Sequence, residues 1–199
     1  LGVVGMSGDK SFVIADIPGL IEGASEGAGL GIRFLKHLTR TRLLLHLVDM
    51  MPYDGSTPGQ NARVIETELG TFSPTLAAGD RWLVLNKIDL LPEDEVEGQC
   101  QQVVDALSWE GPVFRMSGLA SHGTKALCAA IMDYIDENRQ QEEADPELTE
   151  IADERRAVIQ AEARERIEGL AQARRQSRQQ LQENDDEDDD HDVEVVYAE

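Results

Sequence analysis

The sequence predicts an α/β fold, a mostly parallel sheet flanked by helices, followed by a helical and then acidic, disordered tail. Three observations carry this. Apolar runs at Leu43–Asp49, Arg81–Asn86 and Pro112–Met116 alternate with segments of helical periodicity, the pattern of strands joined by helical crossovers and covered on both faces. Polar residues Asp16, Asp49, Asn86 and Ser117 close the strand-like runs, at the carboxyl ends where such sheets bind ligands. From Gln140 onward the composition turns to Glu, Gln, Arg and Ala.

In chain order, Leu1–Met6 and Ser11–Asp16 are short β-prone runs separated by Ser7-Gly8-Asp9-Lys10, a turn composition that suits an antiparallel hairpin. Ile17–Gly31 is a glycine-rich loop. Ile32–Arg42 follows, with Ile32, Leu35 and Leu38 at helical spacing. After the buried-strand run Leu43–Asp49, helices are expected around Asn61–Ala78, Glu93–Leu107 and Thr124–Asn138. Glu147–Gln182 reads as a helix with a thin apolar stripe at Ile151, Val158, Ile159, Ile167 and Leu170, although Gly169 costs about 1 kcal/mol relative to alanine. Such a stripe suits a partner-binding helix or, more simply, a solvated helix docked weakly or not at all. Like-charge repulsion should keep the acidic run Glu183–Asp192 disordered. The organisation read from these shifts is a domain over residues 1–140, a helical extension over 141–182 and a disordered tail over 183–199.

A chain of 199 residues with 41% hydrophobic residues buries one moderate core. Its net charge of −21, from 39 acids and 18 Lys+Arg, opposes loose association with nucleic-acid phosphates or anionic lipid. The acidity is concentrated at the end: residues 142–199 hold 20 acids and 7 Lys/Arg, net −13. Cys100 and Cys128 form no CxxC pair and lie near no histidine cluster, so disulfide and zinc frameworks are unsupported. The longest apolar runs are too short to cross a bilayer, and a reducing cytoplasm fits best. Leu1 opens within a strand-like stretch without an initiator methionine, which suggests upstream residues.

Asn86-Lys87-Ile88-Asp89, at the end of an apolar strand, is built to read guanine. Guanine presents N1–H and its exocyclic amine side by side. The Asp89 carboxylate can accept from both, and adenine offers no matching pair. Asn86 can bond the O6/N7 edge, and the apolar stem of Lys87 can cover the purine face. A site of this kind leaves polar groups unpaired against the wrong base and discriminates by roughly 10³-fold or more. Alternatively, Asn86 and Asp89 merely cap backbone amides; three fixed residues arise by chance in roughly 2% of chains this long.

Asp16-Ile17-Pro18-Gly19 lies where a γ-phosphate and magnesium would sit. Asp16 could hold Mg2+ through a bound water, and the Gly19 amide could bond the phosphate. Alone, DxxG is weak, arising by chance in about half of such chains. Ser117-Gly118-Leu119 offers backbone amides to the guanine O6. Gly27-Ala28-Gly29-Leu30-Gly31 follows no strand directly and is better read as a switch loop than as a dinucleotide fingerprint. His46 reads as a satisfied core histidine and His37 as a helix-surface one. No Ser-His-Asp or Cys-His catalytic arrangement emerges from the spacing.

The stretch Asp16-Ile17-Pro18-Gly19-Leu20-Ile21-Glu22-Gly23-Ala24-Ser25-Glu26-Gly27-Ala28-Gly29-Leu30-Gly31 resembles the signature of the Obg/CgtA family of bacterial GTPases. Ile32–Leu38, Leu44–Asp49, Asn86–Leu91 and the ending Glu194-Val195-Val196-Tyr197 are similar to it as well. The resemblance implies an incomplete P-loop NTPase-type G domain that binds GTP and GDP with Mg2+, in a monomer whose parent hydrolyses GTP in the cytoplasm. It also implies a role in assembly of the large ribosomal subunit and in growth or stress control. The DIPG segment would be the phosphate and magnesium switch, NKID the guanine reader and Ser117-Gly118-Leu119 its backbone supplement. Family members commonly carry Ser-Ala where this chain has Ser117-Gly118. Leu20 stands where many small GTPases place a water-orienting glutamine, so intrinsic hydrolysis is expected to be slow.

The 199 residues contain no GxxxxGK[ST] loop to cradle the phosphates. In the family's sheet, the strand leading to that loop lies between Ser11–Asp16 and Leu43–Asp49, so a gap or irregular pairing is expected there. Negligible hydrolysis by these residues alone follows, with a non-catalytic guanine-nucleotide or partner-binding module as the alternative.

Overall fold

The computed structural model describes residues 1–6, 8, 10–16 and 41–188, and of residues 174 and 177–188 the backbone alone. Strands β1 (Gly2–Gly5) and β2 (Ser11–Ile14) pair antiparallel, with Gly2 opposite Ile14 and Gly5 opposite Ser11. The Met6 N–H donates to the Lys10 carbonyl at 2.9 Å and closes the turn. The expected glycine-rich loop, residues 32–40 of the helix expected at Ile32–Arg42, His37 among them, and the last eleven residues lie outside the described residues; Thr41 and Arg42 are described and not helical.

A second, three-stranded parallel sheet has the order β3 (Leu44–Asp49), β4 (Arg81–Asn86), β5 (Val113–Met116). Leu83, Val84 and Leu85 are fully buried, as a central strand covered on both faces requires. Side chains alternate across a strand. Leu83 and Leu85 therefore join Val48, Met50, Ala62, Cys100 and Val103 on one face, while Trp82 and Val84 join Leu127, Ile131 and Met132 on the other. Phe12 of the hairpin packs into this second cluster. The two sheets are nevertheless separate, as the expected gap implies. Leu44 and Met50 donate their N–H groups toward β4, so by alternation the amides of Leu45 and Leu47 face the outer edge of β3. No strand pairs with that edge among the described residues.

The expected helix over Asn61–Ala78 is two helices. Helix α1 (Pro58–Phe72) starts earlier, with the Thr57 hydroxyl accepting from the Gln60 N–H and Pro58 at the first position. It stops at Ser73, which is held extended before Pro74 (φ −156, ψ 106). The Ser73 hydroxyl then caps the short α2 (Pro74–Ala77) by accepting from the Leu76 N–H at 3.0 Å. Helix α3 (Val96–Leu107) begins three residues later than expected and ends on Ser108 in the left-handed region. Helix α4 (Thr124–Ala144) runs past residue 140. It starts from Gly123 at φ 73, where an added Cβ would lie 2.3 Å from the Arg115 carbonyl oxygen, so only glycine fits.

Helix α5 (Pro146–Asp188) spans 43 residues, about 65 Å at 1.5 Å per residue. It corrects two expectations. Residues 183–188 continue the helix rather than leaving it: Asn184, Asp185, Asp186 and Asp188 are weak helix formers, but propagation costs little once a long helix exists. The helix is also docked. Ile159 (5% exposed) and Ala163 (0%) pack against Leu44, Leu69, Phe72 and Leu76. The Glu162 carboxylate accepts from the Ser73 hydroxyl (2.5 Å), the Thr75 hydroxyl (2.8 Å) and the Thr75 N–H (3.2 Å). Burial works to raise the Glu162 pKa, but these donors outweigh it and hold the carboxyl below its ordinary value. Ile151 and Val158 of the same stripe stay exposed. Among the described residues, no helix is long and apolar enough to cross a membrane.

Candidate functional site

The carboxyl ends of β3, β4 and β5 bring Asp49, Asn86 and Ser117 to one edge. Asp49 is in register with Asn86, and Asn86 with Met116, the residue before Ser117. Asn86 is fixed on both sides. Its carbonyl accepts from the Met50 N–H at 3.0 Å, and its side-chain Oδ1 accepts from the Gly118 N–H at 2.9 Å. With Oδ1 engaged, the Nδ2 amide is left as the donor for a ligand.

Past Asn86 the chain turns sharply. Lys87 adopts the left-handed conformation (φ 67, ψ 29), and Ile88–Leu90 forms one 3-10 turn. Ile88 and Leu91 pack into the core below. Asp89 is exposed, and its carboxylate takes no hydrogen bond among the described residues. The amides that close this turn, those of Leu90 and Leu91, donate to the carbonyls of Lys87 and Ile88. Asp89 therefore caps none of them.

The segment after β5 is a tight turn. The buried Ser117 donates its N–H to the His122 carbonyl (3.0 Å), and its hydroxyl accepts from the Ala120 N–H (2.9 Å). Of the amides expected to serve a base oxygen, that of Ser117 is thus bonded to His122 and that of Gly118 to Asn86. The Leu119 N–H has no partner among the described residues, and its side chain is 92% exposed. A Cβ on Gly118 would meet Asn86 Oδ1 at 3.6 Å, ordinary contact, so alanine fits there too.

Asp16 is described and exposed, two residues beyond β2, in the sheet separate from Asn86. Of the strand ends read from the sequence, Asp49, Asn86 and Ser117 therefore share one sheet edge, and Asp16 lies past the separate hairpin. Ile17, Pro18, Gly19 and Leu20 lie outside the described residues. Among the described residues, no group of three or more His, Cys, Asp or Glu could hold a metal ion. Asp16 offers a single carboxylate, too few ligands to hold Mg2+ unaided.

One contact was not read from the sequence. Lys87 Nζ donates to Asp49 Oδ2 at 2.5 Å, and the Met51 N–H donates to Asp49 Oδ1 at 2.9 Å. Burial raises the Asp49 pKa, but the Lys87 and Met51 bonds and the lysine charge outweigh it, so the carboxyl titrates below its ordinary value. Asp49 was legible as a strand end. Its partner was not, because the left-handed turn at Lys87 sets the direction of that side chain.

His46 corrects another expectation. It is buried (6% exposed), but its Nε2 has no hydrogen-bond partner among the described residues. Burial, then the Arg81 charge, lowers its pKa to about 4. The ring stands edge-on to Trp109, with centroids 6.4 Å apart. It lies three residues before Asp49 on the strand and takes no part in the site.

Residues 2–87 match the family described as 50S ribosome-binding GTPase, from β1 through Lys87 and under half of the chain. Asp89 and Ser117–Leu119 fall beyond the matched range. Over residues 2–87 the chain is similar to the 50S ribosome-binding GTPases, and that match, on a parallel sheet flanked by helices, supports a GTPase G-domain family.

Proposed function

We propose that this chain carries the guanine-reading part of an Obg-type GTPase that converts GTP to GDP and phosphate in the cytoplasm and acts on the large ribosomal subunit. The observation that carries the reading is the Gly118 N–H to Asn86 Oδ1 bond, which ties the two base-facing segments together and orients the asparagine amide. Around it, Asp89 accepts from guanine N1–H and the exocyclic amine, Asn86 Nδ2 donates to the O6/N7 edge, and the Leu119 amide is the free donor for O6. The division of labour along the chain is a G domain over residues 1–140, a helical extension that continues to Asp188 and an acidic tail beyond it.

Magnesium, when bound, neutralises charge on the β- and γ-phosphates. Asp16 would hold one of its waters, and the Gly19 amide would bond the γ-phosphate. The 199 residues contain no GxxxxGK[ST] loop, so these residues alone read the base and hydrolyse GTP negligibly.

Base exchange tests the reading. Xanthine carries an oxygen where guanine carries the exocyclic amine, so Asp89→Asn should weaken GDP binding and favour xanthosine diphosphate, reversing the wild-type preference. Equal loss of both nucleotides, or an unaltered preference for GDP, would contradict it.

A further inference from the structure

From the contact between Asp49 and Lys87 we infer that Asp49 is a positioning residue for guanine binding, which holds the Lys87 stem as a fixed platform under the purine face. The inference rests on the guanine-reading role of Asn86–Asp89. Asp49 and Asn86 are register partners on adjacent strands, and Lys87 leaves Asn86 in a left-handed conformation. That backbone turn aims its side chain back across the sheet edge to the end of β3, where Nζ meets Asp49 Oδ2 at 2.5 Å. The carboxylate is itself immobilised, because Oδ1 accepts from the Met51 N–H at 2.9 Å.

The four-carbon stem of Lys87 is therefore tethered at both ends, by its own backbone and by Asp49. The pair is partly exposed, 44% for the lysine side chain and 37% for the aspartate, and such pairs add little to fold stability. Its effect is to remove rotamer freedom that an untethered lysine would lose only when a base stacks on it. The charged Nζ is drawn away toward Asp49, so the methylenes are what the purine face meets. Asp49 touches no part of the base and reads none of its edges.

The role predicts a particular pattern in NMR-detected titrations of the 199-residue chain with GDP and inosine diphosphate. Asp49→Asn keeps an oxygen for the Met51 amide and loses the ion pair. It should weaken both nucleotides by the same factor, about 3- to 10-fold, the scale of ordering one long side chain. The ratio of GDP to inosine diphosphate affinity and the urea unfolding midpoint should stay as in the wild type. Lys87→Met keeps an apolar stem without the charge, and in that background Asp49→Asn should have no further effect.

Unchanged GDP affinity in Asp49→Asn would overturn the positioning role and leave guanine reading by Asp89 intact. So would an equal loss in the Lys87→Met background, or a loss confined to one nucleotide. Absence of GDP binding by the wild-type chain would overturn the guanine reading and the platform with it.

Discussion

Replacing Ile159 by alanine should destabilise the whole fold, because α5 is a structural part of it. Ile159 is 5% exposed among Leu44, Leu69, Phe72 and Leu76. Truncating a buried isoleucine to alanine costs about 2–5 kcal/mol, and a site at the edge of the core, where neighbours can close in, belongs at the lower end. Alanine returns a few tenths of a kcal/mol in helix propensity, roughly 0.4. A net loss of about 2 kcal/mol, or roughly 4–8 °C in Tm for a chain of this size, is the expected outcome. The neighbouring Val158 is 46% exposed, so Val158→Ala should stay within about 0.5 kcal/mol. Urea unfolding followed by circular dichroism reads both. Similar small shifts for the two variants would show that α5 does not pack on α1 and α2, and would refute the reasoning.

Two other outcomes follow from the same structure. His46 is buried and its pKa is lowered from 6.5 to about 4. The folded state therefore refuses a proton that the unfolded state takes up, and stability is full above about pH 6.5 and declines as pH falls toward 4. The contribution lost is at most about 3 kcal/mol, from 2.5 pH units at 1.36 kcal/mol each. His46→Phe should flatten the difference in unfolding free energy between pH 7 and pH 5, and an unchanged difference would contradict the burial effect. Separately, the 199-residue chain should release phosphate from GTP negligibly. Robust turnover abolished by Asp16→Ala would show that the phosphate chemistry is complete within these residues.

Local patterning made the parallel core readable. Arg81–Asn86 was legible to the residue because a central strand shows an unbroken apolar run between a charged start and a polar end. The break between α1 and α2 was written in Ser73-Pro74, but helical periodicity continued through it and hid the stop. Docking of α5 was obscured for a different reason. Its buried face is built from Ile159, Ala163 and the Glu162 carboxylate, with Ile167 partly buried beside them, and an alanine and a glutamate do not register as an apolar stripe. At the candidate site, Asn86 and Asp89 were visible as a spaced motif, and Ser117-Gly118-Leu119 only as a strand end. Which amides are engaged depends on the fold of that turn. Neither the bond from Gly118 to Asn86 nor the reach of Lys87 to Asp49 can be read from spacing, since both cross between loops 30 or more residues apart. The unpartnered Nε2 of His46 was likewise invisible, because burial can be inferred from an apolar strand and hydrogen-bond satisfaction cannot.

The most direct test of the account is an amide-resolved NMR titration of the 199-residue chain with GDP and, in parallel, ADP. GDP should shift the Leu119 backbone amide and the Asn86 side-chain amide together, and ADP should move neither. Shifts of equal size with both nucleotides, or none at these two amides with GDP, would contradict guanine reading by this edge of the sheet.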